Sequence, residues 1–213
     1  MALVIGVVSQ KGGVGKSTIS RLIACNYAAS EWQVKIADMD LAQGTCTSWN
    51  RRRLQNGTVP KVAVEQFVNV ADAMKTGAQY DLVVFDGAPH SSRMTLDIAR
   101  ASDLVILPTG VSIDDLEPTI KLAHELKKNK VPTSKIAVAF TRVGNSELEL
   151  NEAIEYVRAS GYFLLEGVIH EKTAIRRASD EGKCATETQY KSITEKVDVL
   201  VQSVVNRAEE MTK

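Results

Sequence analysis

The residues with the plainest chemistry are Gly12-Gly13-Val14-Gly15-Lys16-Ser17-Thr18, which stand between an apolar run and a stretch of helical spacing. Glycines let consecutive backbone N–H groups turn inward on an anion, and a helix start adds the positive end of its dipole. Lys16 supplies a point charge, and the Ser17 hydroxyl is a ligand suited to Mg2+. A polyphosphate nucleotide is the ligand that uses all of these groups at once. Two residues depart from the general phosphate-loop pattern G-x-x-x-x-G-K-[ST]. Its first glycine is Gln10 here, and an additional lysine, Lys11, precedes the glycine pair. Taken alone, Lys11 could be a solvated loop lysine.

Carboxylates close two further apolar runs. Asp38-Met39-Asp40 follows Val34-Ala37, and Leu82-Val83-Val84-Phe85 ends in Asp86. Behind a phosphate loop, an apolar strand ending in aspartate holds the hydration shell of nucleotide-bound Mg2+, so Asp86 joins Ser17 as a candidate metal residue. Asp38 and Asp40 do not share a face in an extended chain, which points to different tasks. The other reading is a pair of loop aspartates capping a helix that begins near Thr45.

The elements that must position these groups alternate along the chain. Strands are predicted at Leu3-Val8, Val34-Ala37, Leu82-Phe85, Leu104-Leu107 and Ile136-Phe140, with a weaker one near Val62-Val64. Ile19, Leu22, Ile23 and Tyr27 have helical spacing, Ile120, Leu122, Ala123 and Leu126 make a similar stripe, and Val197 to Ala208 lines a last helix. The pattern predicts an α/β protein: a doubly wound, mostly parallel sheet with helices on both faces. With 213 residues and no internal linker, residues 1–213 read as one domain.

Composition narrows the setting. Lys plus Arg at 26 equals Asp plus Glu at 26, so attraction to nucleic acid or an acidic membrane must come from a local patch. Cys25, Cys46 and Cys184 are widely spaced with no C-x-x-C pair, which fits neither a disulfide framework nor a zinc ribbon and suggests a cytoplasmic protein. The first apolar run lacks a basic segment before it and a cleavage site after it, and no stretch approaches the roughly 20 apolar residues of a transmembrane helix.

Lys11-Gly12-Gly13-Val14-Gly15-Lys16-Ser17 resembles the deviant phosphate loop of the ParA and MinD superfamily of P-loop ATPases. The resemblance implies a P-loop NTPase fold, ATP and Mg2+ as ligands, and an ATP-dependent homodimer in which Lys11 reaches the partner's nucleotide. Asp38-Met39-Asp40 then resembles switch I, with Asp38 supporting the Mg2+ and phosphate end and Asp40 orienting the attacking water. Leu41-Ala42-Gln43 replaces the family's Pro-Gln there. Gly87-Ala88-Pro89 resembles switch II, whose backbone N–H senses the γ-phosphate. Thr141-Arg142 resembles the strand end near the base, and reads either as a frame for adenine or as an ordinary polar pair. Ile169 to Glu187, with Arg176, Arg177, Gly182 and Glu187, resembles the family's I-x-x-R…G-x-x-x-x-E region.

The likeness covers nearly the whole chain, is nearest to the short ParA-type partition ATPases, and leaves no room for an N-terminal DNA-binding extension. It implies DNA segregation: an ATP-bound dimer on nucleoid DNA without sequence preference, released when a centromere-binding ParB-like partner stimulates hydrolysis. Lys172, Arg176, Arg177 and Lys183 form the candidate DNA footprint, with Arg51-Arg52-Arg53 and Lys127-Lys128-Lys130 as competing clusters, any of which could be a solvated face. Iron-sulfur relatives need paired cysteines that are absent here. The alternative is a MinD-like, membrane-recruited positioning ATPase. Its basic amphipathic tail is not matched by a valine-rich helix ending near Glu209 and Glu210.

Overall fold

Strands buried on both faces need near-continuous apolar runs, and the computed structural model, which describes residues 2–90 and 92–212, places such runs at the centre of one sheet. Its elements are β1 (Leu3–Val7), α1 (Lys16–Ala29), β2 (Val34–Asp38), α2 (Thr45–Gln55), β3 (Ala63–Gln66), α3 (Val70–Gly77), β4 (Leu82–Asp86), α4 (Ser92–Ala101) and β5 (Leu104–Thr109). There follow α5 (Ile113–Lys128), β6 (Ile136–Val143), α6 (Glu147–Ala159), β7 (Phe163–His170), α7 (Thr173–Asp180) and α8 (Lys191–Thr212). The seven strands run in the order β3-β2-β4-β1-β5-β6-β7, and every pairing is parallel. The expected doubly wound α/β sheet is therefore present.

Alternate residues of each central strand enter opposite cores. Ile5, Leu82, Val84 and Ile106 pack with Ile19, Leu22, Ile23 and Trp49 and with the Val197, Leu200, Val204 and Ala208 face of α8. Val4, Val83, Phe85 and Val105 pack with Ile98, Ile120, Leu126 and Val157 on the other side. The six predicted strands agree with the structure to within a few residues. β7 went unpredicted for a physical reason. It is an edge strand with register shifts against β6, and Gly167 adopts φ 78° where a Cβ would collide with the backbone of α8 at Leu200. A bulged strand that presses a helix to its backbone loses the period-2 alternation by which strands are read.

The side of the sheet carrying α1 is closed by an ion pair. Arg53, with a fully buried side chain, donates to both carboxylate oxygens of Glu187 (2.8 and 2.7 Å), to Gly182 O (3.0 Å) and twice to Pro60 O (3.0 and 2.8 Å). Gly182 is left-handed at φ 76°, and a Cβ there would run into the Arg53 backbone. Gly182 and Glu187, noticed in sequence as members of a family-like region, thus anchor the segment after α7 to α2. Trp49, also buried, donates Nε1–H to Lys183 O (3.1 Å) beside them.

Removing one member of a buried pair strands the other, a loss of about 3–5 kcal/mol. Glu187→Ala should lower stability by that order, read as a fall in the urea midpoint, whereas Lys191→Ala, from the exposed Lys191–Glu195 pair, should shift it by less than about 0.5 kcal/mol.

Candidate functional site

The loop between β1 and α1 takes its shape from its glycines. Gly13 (φ 77°) and Gly15 (φ 89°) are left-handed, and Gly15 is the N-cap of α1, so the first N–H groups of the helix are left without a side-chain cap. Lys16, 8% exposed, folds its ammonium back under the loop and donates to Lys11 O (3.2 Å). Burial lowers its pKa, while the Asp86 and Asp40 carboxylates oppose that shift. The arrangement is a concave run of donors around a desolvated cation, which suits a polyphosphate.

Sheet register brings the carboxylates to the same place. Asp86 lies in register with Val7 on one side and Asp38 on the other, at the carboxyl ends of β4, β1 and β2. Its carboxylate is buried and accepts from two neutral donors, Ser20 Oγ (3.1 Å) and the Cys46 thiol (3.1 Å). Burial pushes its pKa above the ordinary carboxylate range, while the neighbouring Ser17 hydroxyl and Cys46 thiol pull it down. A hard divalent cation beside it would relieve that cost, and the Ser17 and Asp86 oxygens are the donor chemistry Mg2+ takes.

Asp38 has a different task. It is wholly buried, and its oxygens accept from Asp40 N (3.2 Å), Thr47 N (2.9 Å) and Thr47 Oγ1 (3.0 Å). It therefore fixes the backbone of the loop that carries Asp40 and ties it to the first turn of α2. Asp40 is half-buried and accepts from Gln43 N (3.0 Å), and its charge favours the Lys16 ammonium. Gly87 sits where a Cβ would meet Val7 O and the Val8 side chain at 3.0 Å, so the turn after Asp86 lies directly on β1.

The two loop lysines diverge. Lys11 is 44% exposed in its side chain, and its ammonium pairs with Asp115 and donates to Asp114 O (3.3 Å), both in the first turn of α5. That carbonyl is free for a reason legible in the chain: its helical donor would be residue 118, which is Pro118 and has no N–H. Gln10, the non-glycine at the head of the loop, donates to Glu125 Oε2 (2.9 Å) farther along α5. Asp115 and Glu125 carried no signal in sequence, because acidic residues early in a helix or on an exposed face are ordinary.

Thr141 and Arg142 grip the loop's backbone. The buried Thr141 hydroxyl donates to Val14 O (2.6 Å), and Arg142, left-handed at φ 55°, donates to Gly13 O (3.0 Å). Lys172, Arg176 and Arg177 are exposed on or beside α7, whereas Lys183 is half-buried and pairs with Glu181 (2.8 Å). Glu171 lies 3.7 Å from Arg176. Of the competing clusters, Arg51-Arg52-Arg53 dissolves: Arg53 is the buried partner of Glu187, and Arg52 donates to Ser179 O (3.3 Å). Sequence reading also missed Arg21. It is 6% exposed and joins Thr45 O (2.7 Å), at the start of α2, to Ser179 Oγ (2.8 Å) on α7.

Comparison with known proteins agrees with this geometry. The sequence model of the CobQ/CobB/MinD/ParA nucleotide binding domain matches residues 5–185. The chain is 30% identical over 210 residues to the maintenance of carboxysome distribution protein A of Gloeobacter kilaueensis, covering 92% of this chain and 94% of that one. It is 26% identical over 204 residues to the chromosome partitioning protein ParA of Myxococcus xanthus, covering 75% and 71%. The solved septum site-determining protein MinD of Pyrococcus horikoshii, complexed with Mg-ADP, superposes with a TM-score of 0.67 at 19% identity, over 100% of this chain and 97% of that one. The expected likeness to the ParA and MinD ATPases is met, and the chain belongs to the CobQ/CobB/MinD/ParA nucleotide binding domain family.

Proposed function

We propose that this protein is a Mg2+-dependent partition ATPase whose ATP-bound homodimer binds DNA without sequence preference and is released when a ParB-like partner stimulates hydrolysis. The observation that carries the reading is the divergence of the loop lysines, Lys16 buried beneath the loop and Lys11 exposed on the first turn of α5. A lysine turned away from its own pocket, and held there only by exposed contacts with Asp115 and Asp114 O, can exchange those partners for a nucleotide bound by a second copy. Two relatives named for carboxysome distribution and chromosome partitioning support an intracellular positioning role.

In this reading Ser17 and Asp86 would hold Mg2+, which would neutralise phosphate charge on the bound nucleotide; a solved MinD relative is complexed with Mg-ADP. Lys16 and the loop N–H groups bind the phosphates. Asp40 orients the attacking water, and Asp38 keeps Asp40 in place by accepting from its N–H. The Gly87 N–H is donated to Val7 O (3.0 Å), so the turn after Asp86 senses the γ-phosphate by giving up that bond. Lys172, Arg176 and Arg177 are the DNA contacts, doubled across a two-fold axis, with Lys183 at their margin. Membrane recruitment by the tail is disfavoured because Val197, Leu200, Val204 and Ala208 of α8 are buried in the core.

Lys16→Ala should weaken ADP and ATP binding about 10- to 100-fold, the worth of one charged contact to phosphate. Lys11→Ala should keep ADP binding and lose the ATP-dependent dimer, as measured by titration and light scattering. A full dimer fraction in the Lys11 variant overturns the shared-site reading.

Because a water-orienting group acts in the transition state, Asp40→Ala should cut single-turnover hydrolysis by about 100-fold or more while ATP stays bound. Unchanged turnover would move that role to another residue.

Lys172→Ala with Arg176→Ala and Arg177→Ala should weaken binding to unrelated duplexes alike and flatten the salt dependence by about one unit of slope per lost contact. Dimerisation should persist. An unchanged slope points to Lys127-Lys128-Lys130 instead, and ATP-dependent binding to anionic vesicles without DNA binding would favour the MinD-like alternative.

A further inference from the structure

Away from the nucleotide site, two thiols meet that the sequence shows as unrelated. Cys25 lies in the third turn of α1 and Cys184 in the segment between α7 and α8, yet their Sγ atoms and a Glu187 carboxylate oxygen all lie within 4.8 Å of one another. Both cysteines are buried, at 3% and 4% exposure. The segments are stitched together beside the sulfurs. Asn26 Nδ2 donates to Thr186 Oγ1 (3.0 Å), Thr186 Oγ1 contacts Cys184 Sγ (3.2 Å), and Cys184 N donates to Glu187 Oε2 (2.7 Å). None of these groups touches the phosphate loop.

Such a cluster could take a thiophilic cation or form a sulfur-sulfur bond. A divalent ion would depend on Glu187 as its third ligand, but both oxygens of that carboxylate already accept from the buried Arg53 guanidinium, which would oppose the added positive charge. A disulfide adds no charge and needs no third ligand. We propose that Cys25 and Cys184 are an oxidisable dithiol that closes to an intramolecular disulfide, stapling α1 to the segment on which α2 is anchored.

With glutathione disulfide as oxidant, one cysteine thiolate attacks a glutathione sulfur and expels one glutathione thiolate. The second cysteine thiolate attacks the mixed disulfide at the protein sulfur, forming the Cys25–Cys184 bond and expelling the second. The two protein thiol protons end on two molecules of reduced glutathione, and the protein is oxidised by two electrons. The Cys184 thiol and burial hold the Cys25 thiol well above its ordinary range, so the closed state is slow to react and oxidation proceeds when the segment around Cys184 opens. The staple joins the helix that begins at Lys16 to the anchor of α2, making the scaffold of the nucleotide site responsive to thiol redox poise.

The test equilibrates the full chain in native buffer across glutathione redox ratios, traps free thiols, and maps the peptides by mass spectrometry. The expected result is a Cys25–Cys184 linked peptide lighter by two hydrogens, Cys46 still reduced, and an oxidised form whose Tm is higher by about 5 °C or more. Cys25→Ser and Cys184→Ser should each abolish the rise. If either variant fails to fold, peptide mapping of the wild-type chain decides. Linkage found only in denaturant, glutathione adducts without the cross-link, or a bond to Cys46 would overturn the proposal. So would one tightly held equivalent of Zn2+ in the reduced protein that Cys25→Ser releases, which would make the cluster a metal site.

Discussion

The chemistry of this protein depends on one constraint, the register of three parallel strands. Val7, Asp86 and Asp38 are aligned across β1, β4 and β2, so the phosphate loop, the buried carboxylate and the Asp40 loop leave the sheet at one level. Side chains alternate along a strand, and a slip of one residue would exchange Phe85 with Asp86, sending an aromatic ring to the Ser17 side and a carboxylate into the opposite core. The apolar runs on both faces prevent that slip. The backbone ladder extends past the strand ends, through Met39 N to Asp86 O (2.9 Å) and Gly87 N to Val7 O (3.0 Å), and so carries the alignment into the loops.

Around that alignment, unlike charges are kept close without being cancelled. Lys16 is desolvated with its ammonium on a backbone carbonyl, and Asp86 accepts from a hydroxyl and a thiol. A phosphate chain and a divalent cation are the complementary pair that would satisfy both. Asp38 shows the contrasting use of a buried carboxylate, since its oxygens are taken by Thr47 and by Asp40 N and it serves as a structural tie.

α2 joins this site to the rest of that face. Its first turn contacts Asp38 through Thr47 and Asp86 through Cys46, and farther along Arg52 and Arg53 hold Ser179 O, Gly182 O and Glu187. Arg21 adds a second route, from Thr45 O to Ser179 Oγ. α7, with its exposed Lys172, Arg176 and Arg177 nearby, therefore rests on the same helix that the Asp38 loop feeds.

Much of this was legible in the chain. Gly12 to Thr18 specify a phosphate loop because φ values above zero and inward N–H groups demand glycine and Lys16-Ser17 supply the ligands, all within a few residues. The six apolar runs specify a two-sided parallel sheet because burial on both faces removes alternation. Asp86 could be singled out because it ends such a run. What the sequence could not give is any meeting of distant residues: Lys11 with Asp115, Cys46 with Asp86, Cys25 with Cys184, Arg53 with Glu187. Local spacing reports only neighbours in the chain. Three consecutive arginines at 51 to 53 look alike in sequence, and only packing sends Arg53 into the core, Arg52 onto α7 and Arg51 to solvent. Sequence by itself determined the chemistry of the loop and the class of the sheet, because both arise from short-range backbone and burial rules; the tertiary structure decided which charges are buried, paired or free, because that follows from which surfaces the fold presses together.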